Sequence, residues 1–283
     1  MTSAAKSPIG GHVTVAGGLA TGGLKYAAEI GAEAIQVFVS NPRGWALSAG
    51  KSDEDTKLRE SGVPAYVHAT YLINFGSPTE ETLKKSVDST RHALSRGADI
   101  GALGVVVHTG SAVSQSYDDA MRQIHEHLLP LLDEIPEDGP DLLLEPMAGQ
   151  GAMLCATVQQ LGPYFDALDR HPRIGVCLDT CHAFAAGHDL TAEDGVKETL
   201  DALVDTVGAE RLKLIHANDS KDPCGSAKDR HEHIGAGQIG ERPFAELFRH
   251  PAAAGVPFII ETPSWNPDLH RQDIDTLKRL RDR

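Results

Sequence analysis

Six short apolar runs in this 283-residue chain each stop on a side chain able to bind a metal ion, and a loop follows every time. They are Pro64–His68, Gly104–His108, Asp141–Glu145, Ile174–Asp179, Leu212–His216 and Pro257–Glu261. Their last residues stand 34 to 45 positions apart. Two more strand-like runs, Gly11–Val15 and Ala34–Val39, precede them and bring the number to eight. Runs that are apolar throughout belong to strands buried on both faces. Such strands with helical patterns between them are repeated βαβ units, and eight units close into a (β/α)8 TIM barrel. The length suits one such barrel, of about 250 residues. No linker or composition break divides the chain, so a single α/β domain is expected over residues 9–283, behind a short disordered lead-in at residues 1–8. The carboxyl ends of parallel barrel strands open on one face, where the six terminal side chains should converge.

Between the strands, Ser77-Pro78-Thr79-Glu80 reads as a capping box with proline at the first helical position. Ser116 with Asp119 and Thr191 with Asp194 read as further helix starts. Ile124, Leu128, Leu131 and Leu200, Leu203, Val207 recur at the spacing of a helix face that packs on a sheet. Two segments break the rhythm: Ser40–Trp45, and a long polar loop from Asn218 to Gly240 that carries Lys221, Lys228, Arg230 and His231. Long loops at a barrel mouth usually carry function.

No apolar stretch approaches the roughly 18 residues of a membrane span, and the start, Met1–Pro8, has no apolar core for a secretory signal. Four cysteines (Cys155, Cys177, Cys181, Cys224) make no disulfide framework for a chain this long. The expectation is reduced thiols in a cytoplasmic protein; a thiolate metal site from Cys177 and Cys181 is the alternative. The formal charge of −14 opposes phosphate binding, which is largely electrostatic. Four of the counted acids are candidate ligands, however, and each divalent ion adds two positive charges.

A lone strand-end His or Asp is commonly a hydrogen-bonding group. Six at one topological position are not explained that way, since crowding so many charges without a cation would cost several kcal/mol each. His68, His108, Glu145, Asp179, His216 and Glu261 therefore read as a polynuclear metal set, with Glu145 on a middle strand able to bridge two ions. His182 lies three positions after Asp179, and Asp229 and His231 flank Arg230. Alternate residues of an extended segment point the same way, so Asp229 and His231 can grip one ion with His182.

These residues carry a resemblance. Gly11-His-Val-Thr-Val-Ala-Gly-Gly-Leu19, Val176-Cys-Leu-Asp-Thr-Cys-His-Ala-Phe-Ala-Ala-Gly187, His216-Ala-Asn-Asp219 and Asp229-Arg-His-Glu-His-Ile-Gly-Ala-Gly-Gln-Ile-Gly240 resemble endonuclease IV, the zinc-dependent apurinic/apyrimidinic endonucleases. The likeness runs over nearly the whole chain. It implies one zinc on His68, His108 and Glu145, a second on Glu145, Asp179, His216 and Glu261, and a third on His182, Asp229 and His231. It implies DNA contacts from Asn41 and Arg43 after the second strand and from Tyr71 and Leu72 after the third, with Arg230 a further candidate. Pro146-Met147 stands where the family usually continues with Asn-Thr, and Gly44 where a longer polar residue is common.

The expected chemistry is metal-assisted hydrolysis of the phosphodiester 5′ to an abasic site in duplex DNA, leaving a 3′-hydroxyl. Three Zn2+ ions are expected, with Mn2+ a substitute, and Glu145 and Glu261 as the catalytic carboxylates that hold and orient water. A nucleotide without a base loses little stacking on extrusion, which favours its selection. The expected species is a monomer. One rival is a divalent-metal sugar isomerase or epimerase, which suits the acidic charge but gives no role to His182 with Asp229 and His231. The other is a non-catalytic lesion-binding protein.

Overall fold

The structure is a computed structural model that describes residues 6–283. Eight parallel strands close into a barrel: β1 (Ile9–His12), β2 (Ile35–Val37), β3 (Ala65–His68), β4 (Gly104–His108), β5 (Asp141–Glu145), β6 (Ile174–Asp179), β7 (Leu212–His216) and, after a small hairpin of β8 (Asp219–Ser220) and β9 (His231–Glu232), β10 (Phe258–Ile260). Around them run α1 (Leu19–Ile30), α2 (Ser52–Glu60), α3 (Glu80–Ile100), α4 (Tyr117–Asp133), α5 (Leu161–Ala167), α6 (Thr180–Ala185), α7 (Gly195–Val207), α8 (Glu241–Arg249) and α9 (Pro267–Arg281). None of these helices is long and apolar enough to cross a membrane.

The apolar residues divide by strand parity. Val67, Val105, Val107, Leu142, Leu144, Val176 and Leu178 belong to the core between sheet and helices, with Ile124, Leu128, Leu131, Leu200 and Leu203. Ala34, Tyr66, Val106, Leu143, Cys177, Leu214 and Ile259 form a separate cluster that fills the barrel's interior. Removing one buried side chain, as in Leu143→Ala, would cost about 2–5 kcal/mol. The interior cluster also sets the stage for the site: two residues further along each strand, on the same face, the side chains turn polar.

One irregularity fixes their phase. Between β6 and β7, Val176 pairs with Leu212 but Cys177 pairs with Leu214, so exposed Lys213 is skipped. The skip sets Asp179 opposite His216; unbroken pairing would set it opposite Ile215, on the other face. Between β4 and β5 no skip is needed, and His108 pairs directly with Glu145.

Several details differ from the sequence reading. β1 covers Ile9–His12, two residues before the Gly11–Val15 run. Glycine allows this: a Cβ on Gly10 would stand 1.6 Å from the Ala34 carbonyl oxygen, so β1 packs too close to β2 for a β-branched residue. Ser77–Glu80 is no capping box; α3 starts at Glu80 with Thr79 at its N-cap, and Ser77 Oγ accepts the Thr79 N–H. Thr191 likewise bonds Asp189 and leaves the N-cap of α7 to Asp194, whereas Ser116 does cap α4 by accepting from the Asp119 N–H. Residues 52–60, for which the sequence shows no helical apolar pattern, are α2, with Asp53, Glu54 and Asp55 in its first turn and Lys57 and Arg59 in its last, as the helix dipole favours. The 218–240 loop contains the β8–β9 hairpin. Ser7 and Pro8 are ordered, against the expectation for residues 1–8: Ser7 is buried, its hydroxyl donating to the Ala253 carbonyl, and Pro8's carbonyl accepts from the Phe258 N–H. Residues 1–5 of that expectation lie outside the described residues.

Candidate metal centre

Each of the eight barrel strands delivers one polar side chain to the mouth: His12, Gln36, His68, His108, Glu145, Asp179, His216 and Glu261. All are buried except His108 and Glu261, whose side chains are 14% exposed. Six are the residues read from the sequence. His12 and Gln36 were missed, the first because β1 was placed two residues late, the second because an amide is not a metal ligand by type. Both obey the rule that finds the other six, two positions beyond the interior cluster or its equivalent on β1.

The donor atoms lie close together in three groups. His68 Nε2 and His108 Nε2 are each 3.3 Å from Glu145 Oε2. Glu145 Oε1 lies 3.0 Å from His216 Nδ1, which is 3.3 Å from Glu261 Oε2 and 4.0 Å from Asp179 Oδ2. Beside them, His182 Nε2 is 3.3 Å and His231 Nε2 3.1 Å from the two oxygens of Asp229. Glu145 thus turns one oxygen to each of two donor sets. The nine expected ligands come together, with His182 supplied by α6.

Such a set fits a divalent cation on three counts. Zinc holds nitrogen and oxygen ligands at about 2.0–2.1 Å, which places tetrahedral neighbours about 3.3 Å apart, the spacing observed. Glu145 Oε2 and His231 Nε2, both buried, have no hydrogen-bond partner, a costly condition for polar atoms unless something else binds them. Finally, carbonyl groups occupy the other nitrogen of most of these histidines. His68 Nδ1 donates to the Ala69 carbonyl at 2.7 Å, His182 Nδ1 to Pro146 at 3.1 Å, His231 Nδ1 to Glu261 at 3.1 Å, and His216 Nε2 to Gln36 Oε1 at 2.8 Å. Each ring is thereby committed to offering its other nitrogen inward. Pro146 fits this role without penalty, since its carbonyl is used and its missing N–H is not.

The electrostatics agree. Burial would raise the Glu145 carboxyl, but His216 and His108 hold it well below the usual carboxylate range. Burial would depress the histidines, but Asp179, Asp229 and Glu145 lift His182 well above its ordinary value, and Asp179 with Asp229 pushes His231 up to about 9. The pocket demands positive charge, as protons on imidazole or as cations that displace them. Cys177 and Cys181 sit near these donors, but burial pushes both thiols up, to about 12 for Cys177, which disfavours thiolate ligation.

Around the mouth, the two expected DNA-contact loops are stitched together: Thr70 Oγ1 and the Tyr71 N–H both donate to the Pro42 carbonyl. Tyr71 is 44% exposed and its ring stacks on His108 at 5.6 Å; Leu72 is half-buried, Asn41 is exposed and Arg43 is exposed. Arg230 is differently placed. Its Nε and Nη2 bond both oxygens of buried Asp222, which ties the guanidinium to the loop, while the side chain stays 58% exposed. Asp219, also unflagged by the sequence, accepts the backbone N–H groups of Ser220, Gly235, Gly237, Ile239 and Gly240. A Cβ on Gly237 would stand 2.5 Å from that carboxylate, which is why the turn is glycine-rich.

Comparison with known proteins places the chain. A sequence model of the family described as xylose isomerase-like TIM barrel matches residues 24–280. The "Probable endonuclease 4" of Streptomyces avermitilis is 61% identical over 98% of this chain and 91% of its own length. That of Streptomyces coelicolor is 60% identical over 99% and 97%. Endonuclease IV from Thermus thermophilus superposes with a TM-score of 0.85 at 34% identity, covering 97% of this chain and 99% of that one. A D-tagatose 3-epimerase-like protein shares the fold, at a TM-score of 0.67 and 20% identity over 93% and 94%. By identity along its whole length, the chain belongs to the endonuclease 4 family of xylose isomerase-like TIM barrels, and is a hydrolase.

Proposed function

We propose that this protein is a DNA repair nuclease that hydrolyses the phosphodiester 5′ to an abasic site in duplex DNA, leaving a 3′-hydroxyl. Its cofactors are three zinc ions, which manganese can replace: one on His68, His108 and Glu145, one on Glu145, Asp179, His216 and Glu261, and one on His182, Asp229 and His231. The observation that carries the reading is Glu145, whose two buried oxygens each face a separate donor set and one of which has no hydrogen-bond partner.

Bound divalent cations supply the Lewis acidity, lowering the pKa of water and taking up charge that develops on phosphate oxygens. The chain's own groups do the positioning. Glu145 and Glu261 hold and orient the attacking water. Exposed Tyr71 and the adjoining Leu72 enter the stack beside the missing base, and Asn41 and Arg43 take the backbone. The protein acts as a cytoplasmic monomer. The additional set of His182, Asp229 and His231 favours the nuclease over a sugar epimerase, which the shared fold alone would allow.

The test is a duplex with one abasic analogue, incubated with and without chelator. Cutting 5′ to the lesion, stopped by chelator and restored by zinc, is expected. Chelator-insensitive cutting, or none with metal restored, ends the reading. A lesion binder without catalysis would bind the same duplex and never cut it.

A further inference from the structure

Gln36 makes three contacts in the buried mouth, two through its amide nitrogen and one through its amide oxygen. Its Nε2 donates to Glu261 Oε1 at 2.6 Å and lies 3.0 Å from His12 Nδ1. Its Oε1 accepts from His216 Nε2 at 2.8 Å. The residue is 0% exposed and comes from β2, next to the strand that bears His12 and across the barrel from His216. The reverse orientation of the amide is excluded by its neighbours, since it would set an oxygen against the Glu261 carboxylate.

We infer that Gln36 is a positioning residue that selects the metal-binding form of His216 and aims Glu261, by holding both through one amide. The inference rests on the metal reading above. His216 can bind a cation only through a nitrogen that carries no proton. By accepting from Nε2, Gln36 fixes the proton there and leaves Nδ1 bare, facing Glu145 Oε1 and Glu261 Oε2. By donating to Glu261 Oε1, it leaves Oε2 as the oxygen turned toward the same point. No other side chain type suits the place as well. A glutamate would repel Glu261, and a methionine of similar size would bond to neither. His12 completes the amide's partners, its Nδ1 lying 3.0 Å from Gln36 Nε2.

Asn218 does the corresponding work one ligand away. Its Nδ2 donates to Asp179 Oδ2 at 2.7 Å while its Oδ1 accepts the Glu261 backbone N–H at 2.8 Å. Loss of a partner that orients a ligand typically costs about 10–100-fold in metal affinity.

The decisive experiment dialyses zinc-loaded wild type and Gln36→Met against a series of zinc buffers and counts bound zinc by mass spectrometry. In the variant, one equivalent should be lost at about 10–100-fold higher free zinc than in wild type, while the equivalent held by His182, Asp229 and His231 keeps its wild-type affinity. Equal weakening of every equivalent, or none, overturns the role of Gln36. A second measurement needs no variant, and so stands if Gln36→Met does not fold. In zinc-loaded wild type labelled with 15N-histidine, the His216 proton should be on Nε2; a proton on Nδ1 overturns the inference. Wild type that binds no zinc would instead bring down the metal reading itself, which keeps the two failures apart.

Discussion

The candidate metal centre has a deep part held by strand ends and a shallower part where buried His182 of α6 meets Asp229 and His231 of the 218–240 segment, and the two are stabilised in different ways. His68, Glu145 and His216 are at most 2% exposed and sit at the ends of β3, β5 and β7, where the parallel ladder fixes their backbone. Asp229 is 42% exposed at its side chain and reaches the site from a loop whose shape depends on polar tethers. Asp219 gathers five backbone N–H groups, and Asp222 holds Arg230. Rigidity in the deep part comes with the fold. In the shallow part it is supplied by the polar side chains of Asp219 and Asp222, which hold the loop.

That contrast can be broken in graded steps. The largest effect should follow Glu145→Gln, which removes the charge shared by two donor sets. Incision in single-turnover assays should fall by on the order of 10³-fold or more, with DNA binding retained and zinc lost from the deep part first. If turnover survives within about tenfold, Glu145 does not join the two sets.

Chelation comes next. Each ion held at a free concentration about 100-fold above its dissociation constant adds about 2.7 kcal/mol of stability, so removal should lower the denaturation midpoint in steps. The ion of the shallow part, nearest to solvent, should leave first. A single concerted loss would mean that the two parts do not differ in affinity.

A smaller and more selective change is expected from Asp219→Asn. The amide replaces one acceptor oxygen with a donor that faces backbone N–H groups, at a cost of about 1–3 kcal/mol for those left unpaired. Urea unfolding reads the stability loss, and zinc counting should find only the shallow equivalent weakened. The least effect should come from Arg230→Met. Its guanidinium is engaged by Asp222, so the salt dependence of DNA binding should stay as in wild type, whereas Arg43→Met should reduce that slope by about one phosphate contact. Equal slopes for the two variants would return Arg230 to the DNA surface.

The same division decided what could be read from the sequence. The deep ligands were visible because a strand that ends on His, Asp or Glu is a local pattern, repeated six times. Asp229 and His231 were legible only as alternate residues of an extended segment, of which the structure makes His231 the start of β9. Closure of eight strands also followed from local patterns, because burial on both faces leaves a continuous apolar signature. The supporting groups left no such trace. Gln36 and Asn218 act through amides whose partners lie 180 and 39 residues away in the chain, and nothing near them in sequence names those partners. Asp219 binds a turn 16 to 21 residues on. Helix α2 was overlooked because Leu58 is the one apolar residue it buries.

The skipped residue at Lys213 carries a practical consequence for anyone who would transplant this centre. Copying this segment onto a barrel with an unbroken ladder would leave the sixth and seventh strands out of step, with the His216 imidazole facing the helices and Ile215 beside Asp179. The irregular pairing therefore has to travel with the ligands: if Lys213 were instead paired with Cys177, every later residue of the seventh strand would shift by one and Ile215 would take the place opposite Asp179.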